Sequence, residues 1–109
     1  MLFCISADYT PQALTAMREK PTNRGEAMAN LCEAAGGKCL HFWGTIGNGP
    51  GGMAIIDVDA DVAPTICGLI ASSGSVQNVH MKRLFTMQEV TGFRQKAKEL
   101  SKAYSPAGQ

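Results

Sequence analysis

The chain has 109 residues, of which 45% are hydrophobic and 17% are charged. A chain of this length builds one core rather than two, since domains typically have about 100–150 residues. The formal net charge is +1, with both signs scattered along the chain, which excludes the basic stripe typical of nucleic-acid-binding proteins.

The first third of the chain predicts a strand followed by two short helices. Residues 2–9 alternate in the manner of a half-buried strand. Thr10 is a good N-cap, and the proline after it suits the first helical position. Pro21 must end this helix. A second helix is expected from about residue 22, and Gly36-Gly37 supply its left-handed end.

Residues 38–61, KCLHFWGTIGNGPGGMAIIDVDAD, carry the most information about the fold. Two apolar, partly β-branched runs flank a segment made of Gly, Pro and Asn. This pattern predicts a β-hairpin with strands near 38–46 and 52–58, joined by a glycine-rich loop.

The remaining segment predicts a helix, a fourth strand and a closing helix. Asp59 or Asp61 is expected to cap a helix that runs through about residue 73. A strand follows at about 76–85. Thr86 with Glu89 three residues later forms a capping-box pattern that opens a last helix over roughly 87–103. We expect one domain over 1–104 and a frayed tail over 105–109.

This order of elements predicts an α+β fold. A βαββαβ order with a C-terminal helix is typical of the ferredoxin-like arrangement, in which one four-stranded antiparallel sheet has helices on one face. The other face needs a cover, and face-to-face dimerisation supplies one. Charged residues are fewer than the ~25% typical of soluble domains. We therefore expect a homodimeric α+β barrel, with a higher oligomer as the alternative.

The lengths of the apolar runs and the spacing of the cysteines indicate the cellular compartment of the protein. No basic region with a cleavage site opens the sequence, so no signal peptide is expected. No apolar run approaches the ~20 residues that a membrane span requires. The four cysteines show no C-x-x-C spacing and do not resemble a zinc site. We expect a cytoplasmic protein with reduced cysteines and no contact with membranes or nucleic acid.

Three segments, YTPQALTAM, GGKCLHFWGTIG and SSGSVQNVHMKRLFTMQEV, resemble the GYD-domain family of the dimeric α+β barrel superfamily. The resemblance extends from Phe3 to about Lys98, and it implies this fold and a dimer. The family is named for Gly-Tyr-Asp at the hairpin, where this chain has GNGPGG over residues 47–52. No role of that tyrosine and aspartate therefore carries over to this chain.

Strand alternation identifies the candidate site. Cys39, His41 and Trp43 share one face of the second strand, opposite an apolar set that is expected to contact the helices. They should point toward the barrel interior, where the first strand contributes Ser6 and Asp8. We predict His41 as the catalytic residue and Trp43, Cys39, Ser6 and Asp8 as ligand-binding residues. No metal site is expected.

Each of these residues has a simpler alternative role. Histidine side chains commonly transfer protons near neutral pH, and His41 could equally be a strand histidine at a dimer interface. Trp43 offers a flat surface for stacking a ligand or fills the dimer core. Asp8 orients His41, or it is a solvated residue at a strand end.

Two functions agree with these residues. The first is a small-molecule-binding barrel that holds an apolar or aromatic molecule near the sheet face. By resemblance to the wider superfamily, it would be a cofactor-independent monooxygenase or an isomerase. No cofactor is expected for it, and haem is the alternative that the resemblance allows. The second function is a non-enzymatic stress-response or regulatory interaction module with a packed barrel interior.

Overall fold

Four strands form one antiparallel sheet in the computed structural model, which describes residues 1–108. The strands are β1 (Leu2–Tyr9), β2 (Lys38–Gly47), β3 (Gly49–Asp57) and β4 (Val76–Leu84), in the spatial order β2-β3-β1-β4. All three pairings are antiparallel. The predicted α+β, ferredoxin-like arrangement with a C-terminal helix is confirmed.

The helices of the described residues are α1 (Pro11–Glu19), α2 (Arg24–Ala34), α3 (Ala63–Ala71) and α4 (Met87–Leu100), with a 3₁₀ turn over Ser101–Ala103. Thr10 caps α1 as predicted, because its hydroxyl accepts a hydrogen bond from the Ala13 amide at 3.2 Å. The Asn23 side chain caps α2 by accepting from the Glu26 amide at 3.1 Å. The predicted left-handed end of α2 is confirmed at Gly36, whose φ is 84°.

The core lies between one face of the sheet and the helices α2 and α3. Alternate residues of β1 and β3 point into it, and Cys32 and Ile66 fill it from the helices. The buried residues are Phe3, Ile5, Cys32, Ala54, Ile56, Val58, Ala63 and Ile66. We call this side of the sheet the helix-covered face and the other side the open face.

Two local predictions were wrong. Neither Asp59 nor Asp61 caps α3 through its side chain, because the helix begins four residues after Asp59, with Val62 at the cap position. The main-chain oxygen of Asp59 instead accepts hydrogen bonds from the Val62 and Ala63 amides at 3.1 and 3.2 Å. The glycine-rich segment is strand rather than loop, since residues 47 and 49 still pair and the turn is centred on Asn48.

Helix α4 extends away from the sheet. Its residues are all exposed except the half-buried Val90. The radius of gyration is therefore 17.9 Å, against about 13 Å for a typical domain of ~100 residues. The capping box of Thr86 and Glu89 is confirmed, with hydrogen bonds of 3.0 and 3.1 Å. Residues 105–108 are exposed and include a turn, and the last residue of the predicted tail lies outside the described residues.

Candidate functional site

A β-bulge in β2 changes which residues share a face. Cys39 pairs with Ile56, whereas His41 pairs with Ile55, so that Leu40 is the extra residue between them. An extra residue reverses the alternation on one side of the bulge. Cys39 therefore lies on the helix-covered face and packs against the core, while His41 lies on the open face. The prediction that Cys39 shares a face with His41 and Trp43 was wrong.

His41 and Trp43 form a stacked pair on the open face. Their ring centroids are 5.0 Å apart, and the angle between the ring planes is 8°. The register continues from Trp43 across the sheet to Met53, Ser6 and His80. His80 thus lies at the far edge of the row that begins with Trp43, and the sequence analysis did not connect the two.

Asp8 is held by a different partner from the predicted one. Asn78, which has a φ of 55°, forms a second bulge opposite β1, and its side-chain amide donates to the Asp8 carboxylate at 3.1 Å. The row of His41 crosses β1 at Cys4, four residues before Asp8. Four strand residues span about 13 Å. The structure therefore does not bring Asp8 to His41.

A cavity of about 600 Å³ lies on the opposite side of the sheet, between the helix-covered face and the helices. We call it the helix-side cavity. Its floor is formed by strand residues, and α1, α2 and α3 form its walls. The apolar and small lining residues include Ile5, Ala7, Ala13, Ala16, Met17, Met28, Leu31, Phe42, Gly52, Ala54 and Ile70.

Glycine at position 52 keeps part of this cavity open. A Cβ at Gly52 would lie 2.8 Å from Cζ of Phe42 and 3.2 Å from the Tyr9 hydroxyl oxygen. Helix α1 does not fill the remaining space, because none of its residues is buried and it presents the small side chains of Ala13 and Ala16 to the cavity. The volume thus results from small residues on both the floor and one wall.

The ionisable groups that line the cavity are Tyr9, Lys20 and Arg24. No carboxylate lines it within the described residues. Burial raises the pKa of the Tyr9 hydroxyl, and the positive charge of Arg24 opposes this shift. The Tyr9 phenol is therefore neutral at physiological pH and able to donate a hydrogen bond into the cavity.

The comparison with protein families agrees with this architecture. The model of the GYD domain matches residues 3–93, which include α1 to α3 and all four strands apart from the first residue of β1. The chain belongs to the GYD domain family. Neither a curated protein nor a solved structure matches it. The GYD domain resemblance inferred from the sequence is confirmed.

Among the five site residues predicted for this GYD domain, Ser6 alone is adjacent to the helix-side cavity, although its register places it in the open-face row of Trp43. His41, Trp43 and Asp8 belong to the open face or its edge, and their functional roles stay predictions. The positions of Tyr9, Phe42 and Arg24 around the cavity were not predicted from the sequence. The available signal was the place of Tyr9 on the apolar side of β1, facing a helix whose inner residues are small.

Two further classes of feature are absent from residues 1–108, the part of the chain that the structure describes. No group of three or more His, Cys, Asp or Glu side chains is arranged to hold a metal ion. None of the helices combines the length and the hydropathy that crossing a bilayer requires. All four cysteines are free, and burial raises the pKa of the Cys32 and Cys39 thiols.

Proposed function

We propose that this GYD domain is a homodimeric protein that binds a small, largely apolar molecule in the helix-side cavity. The observation that carries the proposal is the cavity itself, whose volume of about 600 Å³ falls within the ~300–1,000 Å³ typical of ligand pockets. An apolar lining with a few polar groups at its edge is also typical of such pockets. Binding of an apolar or aromatic molecule was one of the two functions expected from the sequence.

The open face supports the dimer in this proposal. Trp43 is 49% exposed there. Helix α4 also carries a largely exposed apolar stripe, formed by residues 90, 93, 97 and 100, in which Phe93 contacts Phe85 edge to face and the rest of the stripe faces outward. The 3-4 spacing of this stripe is typical of a helix face that packs against another element. We place the two open faces against each other, with α4 of each protomer on its partner.

Catalysis is a more specific function than binding, and it would depend on the open face rather than on the helix-side cavity. His41 is on the opposite side of the sheet from the helix-side cavity, and Asp8 is engaged by Asn78. A function in binding alone therefore requires no functional groups other than those that already line the helix-side cavity. Oxygenase or isomerase chemistry at His41 would require a second, open-face site that is formed between protomers.

Titration with Nile red, a neutral apolar dye that fluoresces in apolar surroundings, tests the binding function. We expect the dye to bind the parent protein and Gly52→Val to weaken this binding about tenfold or more, since the added side chain occupies the floor of the cavity. Gly44→Val is the matched control, because a Cβ at Gly44 meets a single atom at 4.0 Å, the oxygen of Gly51. Circular dichroism checks that both variants fold.

A second variant fills the cavity from its wall and does not disturb the sheet. Ala13 lines the cavity, whereas Thr15 on the same helix is exposed and does not line it. Ala13→Phe should weaken dye binding, and Thr15→Phe should not. Failure of the parent to bind the dye, or equal binding by all four variants, would overturn the proposed function.

A further inference from the structure

We infer that the helix-side cavity takes an amphipathic organic anion, with its apolar body over the sheet and its acid group against Arg24, Lys20 and the Tyr9 hydroxyl. This inference rests on the proposed function, and it adds the chemical class of the ligand. It follows from the position of the two cations at one edge of the cavity and from the lack of a salt bridge between them and any carboxylate of residues 1–108.

Both cations of the cavity are at one edge. Lys20 and Arg24 flank the short connection between α1 and α2, and both are exposed at the cavity mouth. We call residues 20–24 the α1–α2 rim. The ion pairs of the described residues join the N-terminus to Asp57 and Lys96 to Glu99. No carboxylate of residues 1–108 forms a salt bridge with Lys20 or Arg24, and the nearest acidic residues in the sequence, Glu19 and Glu26, are exposed.

The rim charge reaches the interior of the cavity. The positive charge of Arg24 acts on Tyr9 and lowers the pKa of its hydroxyl against the effect of burial. That hydroxyl lies above Gly52, 3.2 Å from where a Cβ would be. It makes no hydrogen bond to another group of the described residues. An anion at the rim would thus meet two cations and one available hydrogen-bond donor.

The two sides of the cavity differ in polarity. The rim lies between the negative C-terminal end of α1, at Glu19, and the positive N-terminal end of α2, at Arg24, so these helix ends offset each other and the two cations determine its sign. The C-terminal end of α3 lines the other side, where the hydroxyls of Ser72 and Ser73 donate to the carbonyls of Gly68 and Ile70 at 2.8 and 2.7 Å. An acid group is therefore stabilised by Lys20 and Arg24 at the rim and disfavoured at the carbonyl end of α3. The apolar body then extends from the rim toward α3.

The same apolar chain with and without an acid group separates this inference from simple apolar binding. Decanoate and 1-decanol are each titrated against the Nile red complex of the full chain at neutral pH, and displacement is measured. We expect decanoate to bind about tenfold tighter than 1-decanol, because charge-assisted hydrogen bonds are the stronger kind. Added salt should weaken the binding of decanoate and leave that of 1-decanol unchanged.

Substitutions at the α1–α2 rim and at Tyr9 test whether these residues cause the preference for decanoate over 1-decanol. Lys20→Gln with Arg24→Gln should remove the preference for decanoate and leave the affinity for 1-decanol unchanged. Arg94→Gln with Lys98→Gln on α4 makes the same change in net charge away from the cavity, and it should preserve the preference. Tyr9→Phe, which removes the hydroxyl alone, should weaken decanoate binding more than 1-decanol binding.

The outcomes distinguish the two proposals. If decanoate and 1-decanol displace the dye equally from the parent, the anion inference is overturned and the binding function stands. If the control pair on α4 loses the preference as fully as the rim pair does, the anion is held by net charge and the assigned site is wrong. If Nile red does not bind the parent at all, the proposed function fails first, and the inference fails with it.

Discussion

The indole of Trp43 stacks on the imidazole of His41 on the open face, with ring centroids 5.0 Å apart and ring planes 8° apart. Trp43 is nevertheless 49% exposed in the protomer. Exposure of this ring agrees with the proposed dimer, in which a second open face covers it. The stacked pair therefore presents a flat surface that a second open face can cover.

Trp43→Glu should convert the proposed dimer to a monomer, because a charge at this position would have to be buried without a partner. Sedimentation velocity over a range of protein concentrations measures the change. Ala34→Glu, which adds the same charge on the exposed side of α2, is the control and should leave the mass unchanged. A parent protein that is monomeric at every concentration would contradict the proposed assembly.

The fully buried isoleucine of β3, Ile56, should contribute strongly to the stability of the fold. Ile56 is fully buried, and Ile46 is 90% exposed near the hairpin tip. Ile56→Ala should lower the free energy of unfolding by about 2–5 kcal/mol through lost burial and a residual cavity. Ile46→Ala should change it by less than about 0.5 kcal/mol. Urea denaturation gives both values, and equal effects would mean that the core is placed incorrectly.

Glycine is required at position 37 for a steric reason. A Cβ there would lie 2.7 Å from Cγ1 of Val58 and still closer to the main-chain oxygen of Asp57. Gly37→Ala should therefore destabilise the fold by about 1–3 kcal/mol, as overpacking typically does. Gly47, whose Cβ position has no atom within 4 Å, provides the control substitution. Similar denaturation midpoints for the two alanine variants would contradict this reading of the α2–β2 connection.

Local signals account for what the sequence predicted correctly. The Thr10 cap, the left-handed Gly36 and the capping box of Thr86 and Glu89 each depend on residues within one turn of each other. The order of elements then leaves few topologies, and the ferredoxin-like arrangement followed from it. These features need no knowledge of tertiary packing.

The errors arose where pairing between strands overrode local composition. Leu40 carries no glycine signal, yet it forms a bulge that moves Cys39 to the other face. The glycine-rich tip was expected to be a loop, but it pairs up to residues 47 and 49. The helix-side cavity was missed because it is a gap between three helices and a sheet, and the packing of distant segments determines its volume.

The capping box of α4 should act locally. Thr86 and Glu89 satisfy each other's main-chain amides, and α4 is exposed along almost its whole length. Thr86→Ala should cost the helix about 1 kcal/mol and speed amide hydrogen exchange over residues 87–100. Exchange in β1 and β3 should not change, because the sheet does not depend on α4. Faster exchange in the sheet as well would show that α4 supports the core.

The ionisation of Tyr9 with pH reports on the surroundings of its hydroxyl in the helix-side cavity. Burial raises its pKa above the ordinary value of 10.0, although the charge of Arg24 opposes the shift. The neutral phenol is thus favoured in the folded state. This contribution to stability is present below the unfolded pKa and is lost as the pH rises through the folded pKa. The phenolate absorbance of the parent minus that of Tyr9→Phe, followed as the pH is raised, isolates the ionisation of Tyr9. We expect this ionisation to occur above pH 10.0.

The Arg24→Gln variant completes this test. Removing the positive charge should raise the Tyr9 pKa further, because the opposing cause is lost and burial remains. Decanoate bound at the α1–α2 rim should raise it too, since a neighbouring negative charge disfavours the phenolate. If neither change moves the Tyr9 titration, then Arg24 does not act on the hydroxyl, and the geometry assigned to the acid group is wrong.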